Sequence, residues 1–89
     1  MTNKLSGAHP TVLCLREVRV VEVTGANGYP YLVTFNSQGG ALRILSVWET
    51  ASGHKELRVV WNITHQRPLR ADFRLLIMQA AATPKETAQ

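Results

Sequence analysis

Between two runs rich in β-branched and aromatic residues sits Thr24-Gly25-Ala26-Asn27-Gly28, the segment that most constrains what this chain can fold into. An Asn-Gly pair accepts the two positive φ angles of a type I′ turn at little steric cost, and that turn matches the twist of paired antiparallel strands. A hairpin is therefore expected, with Val18–Val23 as one arm and Tyr29–Asn36 as the other. On the second arm Tyr31, Val33 and Phe35 share one face, and Leu32, Thr34 and Asn36 share the opposite one. Pro30 has no N–H for a ladder bond, which places the start of this arm at a sheet edge.

The neighbouring segments extend the same pattern. Residues 11 to 23 carry Val12, Leu13, Leu15, Val18, Val20, Val21 and Val23, an apolar load that changes face partway along. Such a strand needs a bulge, a bend or cover on both faces. After the break at Asn36-Ser37-Gln38-Gly39-Gly40, residues 41 to 50 fit two templates. Ala41, Ile44, Leu45 and Trp48 have helical spacing, whereas Leu42, Ile44, Ser46 and Trp48 alternate as a strand. The strand is preferred because Leu57, Val59, Trp61 and Ile63 alternate downstream and Ala51-Ser52-Gly53-His54-Lys55 suits a hairpin loop. Beyond the turn at His65-Gln66-Arg67-Pro68, Leu69, Ala71, Phe73, Leu75 and Ile77 alternate again, although a closing helix from residue 71 also fits.

The fold class read from these patterns is mainly β, a small antiparallel meander or partly open barrel of four to five strands. One domain is expected over residues 11–79, with flexible tails at 1–10 and 80–89. The alternative is an α+β domain with a helix at about residues 41–52 or 71–82.

At 89 residues and 45% apolar composition the chain can build one small core, and a core of that size is marginal by itself. Oligomerisation is a common remedy, so a homo-oligomer, most simply a dimer, is expected. The two-faced first strand and the alternation near the end nominate Leu13, Leu15, Val21 and Leu76 for that interface. A single cysteine, Cys14, permits no internal disulfide and fits a cytoplasmic location. The longest apolar runs are too short to span a bilayer, so no membrane partner is expected, and Met1 to His9 lacks the apolar stretch of a signal peptide. Asn62-Ile63-Thr64 matches the glycosylation acceptor pattern by chance.

The residues of catalysis are scarce. Cys14 sits among apolar neighbours, where a thiol behaves as an inert small hydrophobe. His9, His54 and His65 fall in a tail or in turns, and the six acidic residues are dispersed. Neither a zinc ligand set nor a carboxylate pair arises from such spacings, and Gly39-Gly40 lacks the lysine of a phosphate loop. No enzyme activity, cofactor or metal is expected.

What remains is a basic surface, with ten Lys and Arg against six Asp and Glu. The all-strand reading places Arg43, Arg58, Arg70 and Arg74 on one side, with Arg67 in the adjoining loop. Guanidinium forks pair with phosphate or carboxylate, although Glu49, Glu56 and Asp72 on that side could neutralise them. Tyr29, Tyr31 and Trp48 supply aromatic contact area, while Phe35, Trp61 and Phe73 fall on core-facing phases. A five-stranded basic domain with aromatics resembles small nucleic-acid-binding barrels in architecture, with no motif residue matched. The leading expectation is a non-enzymatic binding module acting through protein–protein contacts or self-assembly, of the kind found among phage and mobile-element accessory proteins. The alternative is a sequence-nonspecific nucleic-acid-binding domain. The expected partners are a second copy, an acidic protein surface or a nucleic acid.

Overall fold

The structure is a computed structural model that describes residues 14–65 and 67–84. Four strands, β1 (Arg19–Thr24), β2 (Pro30–Phe35), β3 (Ala41–Glu49) and β4 (Lys55–Asn62), precede one helix, α1 (Ala71–Ala82). The strands form a single antiparallel sheet in the order β1-β2-β3-β4, an open meander. The ambiguous segment after Gly40 is thus a strand. The alternating run after Pro68 is a helix and not a fifth strand, as the second of the two helical alternatives had it.

All three hairpin loops use one device. In Gly25–Tyr29, Asn36–Gly40 and Thr50–His54 the first amide donates to the fifth carbonyl, at 2.7 to 2.9 Å. The fourth residue, always glycine, donates to the first carbonyl at 2.8 to 3.0 Å. Gly28, Gly39 and Gly53 hold φ of +87°, +86° and +89°, the left-handed geometry of a three-residue hairpin loop with a glycine bulge. The type I′ expectation is corrected here. Ala26 and Asn27 are the central turn residues, and only the following glycine supplies the positive φ. Asn27 serves through its side chain, whose Oδ1 accepts the Tyr29 N–H at 3.0 Å.

Helix α1 exists because Phe73, Leu76, Ile77 and Ala80 recur at helical spacing in an alanine-rich stretch. Phe73, Leu76 and Ala80 are buried against Val21, Val23, Val33, Phe35 and Ile44, with Ile77 half-buried beside them. The strand alternation of Phe73, Leu75 and Ile77 was accidental, since Leu75 and Met78 face solvent. Burial of Ala80, and the bond from the Arg19 guanidinium to the Thr83 carbonyl at 2.6 Å, carry the packed unit past residue 79.

The helix lies mainly over β1 and β2. One face of the sheet therefore carries the core, and it is thinly covered toward β4. On that face Val21, Val33, Ile44 and Trp61 lie in one cross-strand row, and Val23, Tyr31, Ser46 and Arg58 in the next. A bulge in β4, where Ile44 pairs with Trp61 and Leu45 with Val59, leaves Val60 as the extra residue. Val60 and Trp61 both pack against the core. The bulge also divides the run expected to share one face: Trp61 reaches the core, while Leu57 and Val59 sit exposed on the opposite side.

Residues 14–18 are not strand, so the long two-faced first strand reduces to six residues. The segment instead crosses the helix-free face. Asn36, buried, donates through Nδ2 to the Cys14 carbonyl at 3.1 Å, while its Oδ1 accepts the Gln38 and Gly40 amides. Glu17 accepts from the Thr34 hydroxyl at 2.9 Å and from Arg43 in a bidentate fork. Thr34 in turn accepts the Arg43 amide where the β2–β3 register shifts. The hydrogen bond from Arg43 is the main influence holding the Glu17 carboxyl below its ordinary 4.5. Partial burial opposes it, and the Thr34 hydroxyl and the Arg43 charge add to it.

Two measurements check this construction. Gly39→Ala meets no neighbour but must hold a left-handed φ, so it should lower unfolding stability by about 1 kcal/mol in a denaturant titration. An unchanged midpoint would contradict the turn geometry. Glu17→Gln should cost about 1 kcal/mol at pH 7, given a pair that keeps about a third of its surface exposed. Because the folded carboxyl titrates below 4.5, the wild-type advantage is complete above that pH and vanishes as pH falls through the depressed value. A difference that stays constant from neutral to acid would refute the pairing.

Candidate functional site

The sheet has one asymmetry, to which Pro30 and the β1–β2 loop beside it both contribute. The Gly25 amide donates to the Tyr29 carbonyl, so the polar groups of Tyr29 face β1 and those of Pro30 face β3. Continuing the Leu32–Leu45 register would set Pro30 opposite Val47, where proline cannot donate to the Val47 carbonyl. The β2–β3 ladder has Tyr31–Ser46 as its last pair, yet β3 runs on to Glu49. The Thr50 amide donates to the His54 carbonyl, so Thr50 and Trp48 direct their backbone groups toward β4 and Glu49 directs its own away from it. The β3–β4 hairpin therefore projects beyond β2. The Val47 carbonyl and both backbone groups of Glu49 have no ladder partner on that side among the described residues.

A groove of about 520 Å³ fills this corner, lined by Tyr29, Pro30 and Tyr31 on one wall and by Ser46–Glu49 with Lys55 on the other. Tyr29 is 65% exposed and Trp48 50% exposed. Two of the rings are held in place. The Trp48 indole N–H donates to the Ser46 hydroxyl at 2.9 Å, and the Arg58 guanidinium lies over its ring at 5.1 Å. The Tyr31 hydroxyl accepts from Asn27 Nδ2 at 3.0 Å. Gly25 makes room for that ring, since a Cβ there would stand 2.8 Å from Tyr31 Cε1. Immobilised aromatic rings lose little entropy when a ligand arrives.

Of the residues expected in a binding surface, Tyr29, Tyr31 and Trp48 are thus gathered in the groove, with Arg58 stacked at its margin. The other arginines are not. Arg43 lies on the opposite face of the sheet from Arg58, in the row of Thr34 and Asn62, where Glu17 holds it. Arg70 precedes the helix, forks to Asp72 and lies 4.5 Å over the Phe73 ring. Arg74 is exposed on α1, and Arg67 lies exposed in the turn after β4. The expected four-arginine face fails for two reasons: the β4 bulge shifts face parity, and α1 removes two members from the sheet.

The expected oligomer interface is also corrected. Val21 and Leu76 are 7% and 5% exposed, inside the core, and cannot meet a partner without unfolding. Leu15 is exposed and remains accessible. Leu13 lies outside the described residues, as does His9. Cys14 is half-buried and contributes its carbonyl, not a strand position. His54 bonds to the Ser52 hydroxyl within the β3–β4 loop. Among the described residues no three of His, Cys, Asp and Glu converge on a metal-sized site, and no helix is long and apolar enough to cross a membrane. Glu17 and Asn36, which organise the helix-free face, escaped the sequence reading because their partners are 17 to 26 residues away. Compared with protein-family models, curated proteins and solved structures, the chain matches none.

The groove geometry makes a local prediction. Gly25→Ala should displace the Tyr31 ring and break its bond to Asn27, with a stability loss of about 1 kcal/mol or less because the ring can swing outward. Tyr31 ring resonances that do not move would contradict the described contact.

Proposed function

We propose that this chain is a small non-enzymatic, cytoplasmic interaction module that captures an extended peptide segment of a partner protein in the Tyr29/Tyr31/Trp48 groove. The observation that carries the reading is the overhang of β3 beyond Pro30. An unpaired strand edge beside aromatic walls supports peptide capture, with main-chain groups giving affinity and side-chain contacts giving specificity. Val47 offers a carbonyl, and Glu49 offers an amide and a carbonyl, to a segment laid alongside them. Tyr29 and Trp48 supply amphipathic area of the kind that dominates interface energetics. The lone cysteine, which is free, supports the cytoplasmic assignment.

The nucleic-acid alternative keeps the same aromatics for base stacking but loses part of its phosphate track. Arg43 and Arg70 are neutralised by Glu17 and Asp72, and neither Arg67 nor Arg74 lines the groove. Glu49 at the groove rim offsets the charge of Lys55 on the same wall.

The test uses peptides selected on the full chain from a random twelve-residue library, titrated by Trp48 fluorescence with Trp61→Phe as the reporting background. Binding should be nearly independent of salt and fall about tenfold or more in Tyr29→Ala and in Trp48→Ala, the latter read by calorimetry. Selected peptides indifferent to both substitutions would overturn the proposal. So would a single-stranded oligonucleotide that binds at low salt, with affinity falling steeply as salt rises, and is blocked by the same changes.

A further inference from the structure

Among the described residues, β4 leaves a further edge of the sheet open on the other side of the same hairpin. β4 is an edge strand of eight residues without proline or glycine, and Leu57 on it is 57% exposed. Edge strands of this length usually carry some block to pairing with another chain. Here the block is selective, because the charge order Lys55-Glu56-Leu57-Arg58-Val59 admits one self-pairing and penalises its neighbours.

Backbone direction fixes the possibilities. The Thr50–His54 bond and the Ser46–Arg58 and Trp48–Glu56 pairs direct the backbone of Arg58 and Glu56 toward β3. Lys55, Leu57 and Val59 therefore turn their N–H and C=O groups outward, and an antiparallel partner must meet those residues. Where the partner is a second copy related by a two-fold axis, the register steps two residues at a time. Pairing Leu57 with Leu57 of the second copy sets Glu56 opposite Arg58 on both sides of the axis. These fall at non-hydrogen-bonded positions, the closer of the two pair types at about 4.5 Å between Cα atoms. Shifting one step either way sets Glu56 against Glu56, or Arg58 against Arg58, at the same close spacing. On the helix-free face, Leu57 meets Leu57 across the axis and Val59 meets the stem of Lys55, which extends the exposed apolar surface of both copies.

We propose that the chain forms a two-fold homodimer by antiparallel β4–β4 pairing in the Leu57–Leu57 register, joining two four-stranded sheets into one of eight strands. The interface shares Lys55 and Arg58 with the margin of the groove, but its backbone bonds lie on the outer side of β4 and not on the β3 edge, so it stands whether or not that groove captures a peptide. Closing one edge in this way leaves each copy with its groove at the opposite flank of the β3–β4 hairpin.

Sedimentation of the full chain across a concentration series tests it, with circular dichroism confirming that each variant folds. A species of twice the 9.9 kDa chain mass should grow with concentration. Glu56→Arg alone and Arg58→Glu alone should each raise the dimer dissociation constant at least tenfold. The double exchange, Glu56→Arg with Arg58→Glu, should restore it, since opposite charges again face each other. Leu57→Lys should abolish the dimer by placing like charges on the axis. A chain that stays monomeric at hundreds of micromolar would overturn the proposal, as would a dimer indifferent to Leu57→Lys or one that the double exchange fails to rescue. A full chain that is monomeric but dimerises once residues 1–13 are deleted would equally overturn it, by showing the chain's own N-terminal segment on that edge.

Discussion

The missing N–H of Pro30 is the constraint from which the functional reading descends. One absent donor ends the β2–β3 ladder at Tyr31–Ser46, while the glycine-closed loop at Thr50–His54 keeps β3 and β4 paired to their tips. The sheet consequently has a step in its outline. The step exposes polar backbone groups, and Tyr29, Tyr31 and Trp48 flank it because strand alternation brings them to that corner. A residue able to donate at position 30 would add a bond to the Val47 carbonyl, while Glu49 would stay unpaired because Gly28, opposite it in that register, belongs to the β1–β2 loop.

The core is organised at the other end of the sheet. Helix α1 covers β1 and β2, so Val33 and Ile44 are fully enclosed while the β3–β4 hairpin tip is nearly bare. Stability and contact surface are thus separated along the sheet. The helix-free face is held near β2 and β3 by Glu17, Thr34, Arg43 and Asn36, a polar arrangement in which each buried side-chain group has a partner. Charge that looked available for a partner is spent inside the fold: the bidentate fork of Arg43 goes to Glu17, and that of Arg70 to Asp72. Net charge by itself is therefore a poor guide to a binding face here.

Local patterns in the sequence were legible where backbone sterics dominate. The three glycine-closed loops and the strands between them follow from residue type, as does the edge character of Pro30. Two features depended on distant contacts and were misread. The run after Pro68 alternates well enough for a strand, but Leu76 and Ala80 find a sheet to cover only when it coils, and tertiary burial decides such cases. The bulge at Val60 reverses face parity in mid-strand, so Leu57 and Trp61 part company although their spacing says otherwise. Arg58 changed sides for the same reason and so parted from Arg43, which stays on the helix-free face. Of the candidate site, the aromatic members were recoverable from the sequence, and the arginine members mostly were not.

Amide hydrogen exchange on the free protein at low micromolar concentration tests the central claim most directly. Trp48 and Glu49 are adjacent residues of one strand, similar in exposure, and differ in which side their amides face. The account predicts a slowed Trp48 amide, bonded into the β4 ladder, beside a Glu49 amide that exchanges near its unprotected rate. Equal protection of the two would show the β3 edge already occupied and would contradict the open groove.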